Sequence, residues 1–187
     1  MTDLITNRLI LHPLTVAEAT RIVSGIPGPG DIWADGFPGE GDRDGARMIV
    51  KAAAAQVYAH ARAYDQGTLA ALVQAPDASV DVYPFTSYRI DCRRDATAIG
   101  TIGFHGPPNV QHQATIGYGL VPHSWGNGYA TEALHALVEF CRGRRDVRSL
   151  AADTSHDNYA SQRVLTKAGF RLVRQDRELL YYELDVD

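Results

Sequence analysis

The stretch richest in possible chemistry is Pro122-His123-Ser124-Trp125-Gly126-Asn127-Gly128-Tyr129-Ala130-Thr131-Glu132-Ala133, where two glycines sit two apart ahead of an apolar-periodic run. Glycine lets a backbone approach a bulky anion, and the first N–H groups of a helix point outward without partners. Such a junction binds phosphate through dipoles alone, with no cationic side chain. It is not a Walker loop, since no Gly-Lys-Ser/Thr follows, and it lacks the third glycine of a dinucleotide fingerprint. A tight strand-to-helix turn with no ligand is the plain alternative. Cys92 and Cys141 lie far apart and fit neither a disulfide scaffold nor a zinc ribbon, so no metal is expected.

The elements that must carry this junction alternate along the chain. Residues 8–14 read as a short strand, and Thr15 with Glu18 as a capping box opening a helix over 16–24. Residues 25–45 hold seven glycines and three prolines, which reads as a loop long enough to be a mobile lid. Its acids Asp31, Asp35, Glu40, Asp42 and Asp44 face only Arg43, either as a solvated segment or as a rim that draws in a cation. Trp33 and Phe37 in it favour docking on a core or pocket. An alanine-rich helix is expected over 46–64, with residues 66–82 left ambiguous.

Strands follow over 85–91, 98–105 and 115–121, the last two forming an antiparallel hairpin. A helix from about 127 carries the stripe Ala130, Ala133, Leu134, Leu137, Val138 and Cys141, and Arg142, Arg144, Arg145 and Arg148 at its far end suit the dipole. A strand over 150–154, a helix capped by Asp157 or Asn158 and ended by Gly169, and strands over 170–174 and 179–186 complete the set. Together they predict an α/β (α+β) fold with about four helices.

With 187 residues the chain is sized for one domain spanning 1–187. Its 45% apolar and 21% charged residues are those of a globular protein rather than a disordered one. A formal net charge of -4 argues against a dedicated nucleic-acid binder. No apolar run is long enough to span a membrane and no signal peptide opens the chain, so a cytoplasmic protein is expected, as monomer or homodimer.

Four separated segments resemble, in order, the GNAT acyltransferase superfamily, in particular its ribosomal-protein N-terminal acetyltransferase branch. They are Thr6-Asn7-Arg8-Leu9-Ile10-Leu11; Ile99-Gly100-Thr101-Ile102-Gly103-Phe104; Ile116-Gly117-Tyr118 running into Trp125-Gly126-Asn127-Gly128-Tyr129-Ala130-Thr131-Glu132-Ala133; and Asn158-Tyr159-Ala160-Ser161-Gln162-Arg163-Val164-Leu165 ending in Ala168-Gly169-Phe170. The resemblance implies a mixed, mostly antiparallel sheet with a central splayed strand pair and helices on both faces. It implies acetyl-CoA, or another acyl-CoA, as cosubstrate. Backbone N–H groups of Gly126, Asn127, Gly128, Tyr129, Ala130 and Thr131 would hold the pyrophosphate. Main-chain groups of Leu120 and Val121 would pair with the pantetheine arm, one serving as oxyanion donor. Asn158 and Ser161 fall at cofactor-contacting positions, and Ser161 would protonate the departing thiolate. The superfamily's tyrosine for that task would fall at Leu165.

Two positions depart from the resemblance: His123 stands at the first motif position, and Thr115 where the branch often has Glu as base. An ammonium must lose a proton before attack on a thioester, so an acceptor is expected, although solvent can serve. Strand alternation puts Thr115, Gly117 and Gly119 on one face, and Thr101, Gly103 and His105 on one face of the preceding strand. Matching small to small sets His105 opposite Thr115 or two residues away, where an imidazole accepts protons near neutral pH. His105 could equally be only a hairpin hydrogen-bonding group. His112 and Glu132 are weaker candidates. The small face leaves room for a bulkier acceptor or acyl group, unless Trp33 or Phe37 fills it.

The expectation is an N-acyltransferase in which a primary amine, from a small molecule or a protein N-terminus, attacks the thioester directly. The alternatives are a non-catalytic acyl-CoA sensor that lost its base, and an unrelated nucleotide-phosphate binder.

Overall fold

The structure is a computed structural model that describes residues 2–63 and 85–186. Among the described residues, nine strands form one sheet in the order β1-β2-β4-β5-β6-β7-β9-β8, with β3 paired to β5 off that path. The strands are β1 (Leu4–Ile5), β2 (Leu9–Pro13), β3 (Ile32–Trp33), β4 (Ser87–Cys92), β5 (Thr97–Phe104), β6 (Gln113–Leu120), β7 (Ser149–Ser155), β8 (Arg171–Gln175) and β9 (Leu179–Asp185). The helices are α1 (Val16–Ser24), α2 (Glu40–Ala63), α3 (Tyr129–Cys141) and α4 (Tyr159–Lys167), with a 3-10 turn at Pro122–Ser124. This is the mixed, mostly antiparallel architecture expected. Among the described residues no helix is long and apolar enough to cross a membrane.

The centre of the sheet is its defect. β6 and β7 run parallel but pair only at Gln113↔Ser149, Ala114↔Leu150 and Thr115↔Ala151, then separate. Beyond Thr115, β6 therefore has, among the described residues, a partner on one side only, β5. Antiparallel partners exchange bonds at alternate residues. The His105 N–H donates to the Thr115 carbonyl and the Val121 N–H to the Ile99 carbonyl, so odd-numbered β6 residues bond to β5. Tyr118 and Leu120 thus turn their main-chain groups toward the gap.

The hairpin register is Thr101↔Gly119, Ile102↔Tyr118 and Gly103↔Gly117, the small-to-small matching that alternation predicts. The large face packs under α3 and α4, where Phe140 of α3 meets Tyr88 and Phe104. Leu134, Leu137 and Cys141 of the predicted stripe are fully buried there. The small face lies under α1 and α2.

Local chemistry explains most boundaries. Thr15 and Glu18 form both bonds of the capping box on α1, and Gly25 ends it at φ 71°. Helix α2 starts at Glu40, six residues before the expected start, so the loop ends at Gly39. Gly41 and Gly45 look like loop residues in sequence, but a Cβ on Gly45 would stand 3.2 Å from Ser87 Oγ, so glycine lets α2 approach the sheet closely. The loop itself is pinned: β3 pairs with β5, and Trp33 meets Phe37 edge to face at 5.3 Å. The ambiguous residues 66–82 and the far end of the predicted second helix at Tyr64 lie outside the described residues.

The arginines beyond α3 need a different account from the dipole expected of them. None lies in its last turn. Arg144 instead lies over the Phe85 and Phe140 rings and pairs with Asp146.

Candidate active site

The cofactor side begins where β6 ends. Gly126 and Gly128 take φ 76° and 79°, conformations that cost an ordinary residue about 1–2 kcal/mol, which is why glycine recurs here. Gly128 caps α3 with no side-chain hydrogen bond. The first bond inside the helix runs from the Glu132 N–H to the Gly128 carbonyl at 3.0 Å, so the N–H groups of Tyr129, Ala130 and Thr131 precede it and point out of the helix end. Gly126, Asn127 and Gly128 are exposed beside them. A solvent-facing helix start without a side-chain cap, reached by two left-handed glycines, is built for an anion.

Arg8 braces this turn, a contact with no local signal in the sequence. Its guanidinium donates to the Asn127 carbonyl at 3.0 Å and to Glu132 at 2.7 Å, and lies 4.6 Å from the Tyr129 ring centre. Glu132 also accepts from the Thr6 hydroxyl at 2.6 Å. Burial opposes ionisation of Glu132, but the bonds from Thr6 and Arg8 outweigh it and hold the carboxyl below its ordinary range. A carboxylate so engaged is a brace rather than a base. His112, the other weak candidate, faces the Asp146 carbonyl at 3.3 Å from a loop outside the gap.

Along the gap, Val121 is spent within the chain: its N–H goes to Ile99 and its carbonyl accepts from the Ser124 N–H. This corrects the expectation that Leu120 and Val121 both offer main-chain groups to a pantetheine arm; register turns Tyr118 and Leu120 toward the gap instead. The Leu120 carbonyl accepts from Trp125 Nε1 at 2.7 Å, while the Leu120 N–H still faces the gap. Across the opening, Asn158 caps α4 by accepting from the Ser161 N–H at 3.1 Å. Ser161 Oγ and the Tyr118 hydroxyl are 2.8 Å apart. Burial pushes the Tyr118 phenol up to about 12, so it stays protonated at neutral pH and can serve as a donor. Leu165, where the resemblance implies a tyrosine, is fully buried in the core; the phenol near Ser161 comes from β6 instead. His123 is exposed in the 3-10 turn.

The small face is occupied differently from the open space expected. Nε2 of His105 lies 2.6 Å from where a Gly117 Cβ would stand, so the imidazole covers Gly117. Thr115 holds His105 only through the strand pairing. The hollow at Gly119 has one wall within 4 Å among the described residues, Asp42 Oδ1 at 3.9 Å. Trp33 and Phe37 do not fill it. The acids of residues 31–44 are also largely compensated: Asp31 pairs with Arg21 and Arg89, and Glu40 and Asp44 with Arg47. Asp35 is exposed and Asp42 is buried. Among the described residues no cluster of three or more His, Cys, Asp or Glu could hold a metal. Cys141 is buried away from the gap, and burial raises its thiol to about 12.

A central strand pair that splays, with gap-facing main-chain groups leading into a bare helix start, is the arrangement that the resemblance implies. Residues 8–171 match the family described as Acetyltransferase (GNAT) domain, and the chain belongs to that family. It is similar to an uncharacterized N-acetyltransferase, YoaA, of Bacillus subtilis, with 37% identity over 48% of this chain and 51% of the relative. A second relative from that organism, the uncharacterized N-acetyltransferase YjdG, is 30% identical over 52% of this chain and 58% of its own length. The matched region thus spans about half the length of these curated relatives. In fold it resembles an acetyltransferase from Agrobacterium tumefaciens (TM-score 0.59, 24% identity, covering 98% of this chain and 94% of that one). It also resembles RimL, a ribosomal L7/L12 alpha-N-protein acetyltransferase solved with coenzyme A (TM-score 0.61, 16% identity, covering 100% and 99%).

Proposed function

We propose that this protein is an N-acetyltransferase that moves an acetyl group from acetyl-CoA to a primary amine by direct attack in a ternary complex. The observation that carries this reading is the run of gap-facing main-chain groups at Tyr118 and Leu120, continuing into the uncapped N–H groups of Gly126 to Thr131. An extended amide-bearing arm adds to such a strand as a further strand would, and its pyrophosphate fits the helix start. The Leu120 N–H is then placed to stabilise the oxygen of the attacked thioester.

The acceptor enters on the small face. His105 takes the ammonium proton and loses it to solvent, the amine nitrogen bonds to the thioester carbon, and the carbon–sulfur bond breaks as the nitrogen's second proton passes to His105. Ser161, hydrogen-bonded to Tyr118, returns a proton to the thiolate. Neither cysteine lies in the gap, which favours direct attack over an acyl-enzyme. The protein is expected to act as monomer or homodimer on a small-molecule amine or a protein N-terminus.

A thiol-release assay with acetyl-CoA and a panel of primary amines tests this reading. Acceptor-dependent release supports it. Tight acyl-CoA binding with no acceptor turning over would make the protein an acyl-CoA sensor, and ATP competing equally with CoA would make it a nucleotide-phosphate binder.

A further inference from the structure

The first turns of α1 and α2 use the same device with different partners. In each, an acid at the third helical position accepts from the backbone N–H of the cap residue: Glu18 from Thr15 at 2.9 Å, Asp42 from Gly39 at 2.8 Å. Glu18 spends its other oxygen on His12 Nε2 at 3.1 Å and the Arg89 guanidinium at 3.7 Å. Asp42 turns its other oxygen into the sheet, where the Thr101 hydroxyl donates to Oδ1 at 2.6 Å. Capping alone requires neither that burial nor that direction.

Asp42 is 7% exposed and forms no ion pair among the described residues. The nearby Arg43 guanidinium is committed to the carbonyls of Ile22 and Val23. A buried carboxylate with no cation is costly, and burial accordingly pushes its carboxyl above the ordinary range. The hollow it borders is open: Gly119 is partly exposed, and Oδ1 is the one described atom within 4 Å of its missing side chain. Gly117, two residues back on the same face and so about 7 Å away, lies under His105 Nε2. A carboxylate and an imidazole thus stand over neighbouring glycines of the same strand face.

Resting on the acetyltransferase reading above, we propose that Asp42 is the anchor for the acceptor's ammonium group. Its carboxylate supplies the fixed negative charge that draws a protonated primary amine into the hollow beside Gly119 and holds it next to His105. The acceptor class is therefore a primary amine that arrives protonated, and a neutral hydroxyl compound of the same shape is refused.

Calorimetric titration of the unmutated protein and of Asp42→Asn with short primary alkylamines and the matching alcohols, CoA present, tests this. CoA alone is titrated in parallel. Asparagine keeps both hydrogen bonds, since its amide oxygen can accept from Gly39 and its Nδ2 can donate to the Thr101 hydroxyl. Amines are expected to bind the unmutated protein in preference to alcohols and to lose at least about tenfold in affinity with Asp42→Asn, while CoA affinity stays within about twofold. Thr101→Val removes the hydroxyl but leaves the charge, and is expected to cost at most about threefold in amine affinity. Equal amine binding by Asp42→Asn, a Thr101→Val loss as large as that of Asp42→Asn, or no preference for amines over alcohols overturns the proposal. The last comparison uses the unmutated protein, so it decides even if a variant fails to fold. Absence of CoA binding would instead overturn the acetyltransferase reading; the amine titrations repeated without CoA still judge Asp42.

Discussion

The two faces of the β5–β6 hairpin use different materials. On the gap and the large face, the groups proposed to act are backbone amides and neutral hydroxyls: the Leu120 N–H, the bare start of α3, Ser161 and Tyr118. On the small face they are titratable side chains, His105 over Gly117 and Asp42 beside Gly119. A polyanion held by dipoles is insensitive to pH and compatible with a net charge of -4. A proton acceptor cannot be made of amides, and in the proposed reaction it comes from a side chain on the other side. One strand serves both because alternate residues face opposite ways.

The comparison breaks altogether if the shared wall fails. A methyl at Gly100 would lie 2.1 Å from the Gly119 carbonyl oxygen and 2.9 Å from Leu120 Cα, both backbone atoms that cannot yield separately. Gly100→Ala is expected to lower the melting temperature by about 10 °C or more and to abolish CoA binding and turnover together. Loss of only one would show that the two sides do not depend on the same register.

His105→Ala should touch one side alone. Turnover at neutral pH is expected to fall about a hundredfold while calorimetric CoA affinity is kept. An unchanged rate and pH profile would remove His105 as the base. Gly128→Val is the mirror image: forcing a branched residue to φ 79° should weaken CoA binding about tenfold, yet leave the shape of the pH–rate profile alone.

The smallest effect concerns stability. A carboxyl raised in the folded state favours its protonated form there. It stabilises the protein below the ordinary aspartate value near 3.9, and that contribution is lost as pH rises through the raised value. Where Asp42 is ionised in the folded protein, its charge is a cost. Asp42→Asn should therefore melt about 1–4 °C above the unmutated protein at pH 7, with the gap closing toward pH 4. An equal or lower melting temperature at pH 7 would mean that the carboxylate is not destabilising.

Signals confined to one segment were legible in the sequence. Thr15 and Glu18 announce their helix, and glycine matching across the hairpin gives the register that brings the His105 N–H to the Thr115 carbonyl. The glycine pair at 126 and 128 likewise marks the helix start. What stayed hidden depends on approach between distant elements. Gly41 and Gly45 read as loop until α2 is seen against β4. Asp42 then looked like one of five loop acids, although packing turns it inward. Arg8 reaches Asn127 across 119 residues, a contact no local pattern encodes. Val121 lies at a motif position, but its odd place in the ladder takes its N–H away from the gap.

The alternation along β6 also bears on how such a protein changes its diet over generations. Gap-facing amides belong to every residue type except proline, so their contribution outlasts almost any replacement of Tyr118 or Leu120. The opposite face speaks only through the side chains at Thr115, Gly117 and Gly119, the space they leave and the groups that lean over it. On the proposed reaction, acceptor preference can therefore wander by single substitutions while the acyl donor stays fixed, and the strand need not be rebuilt.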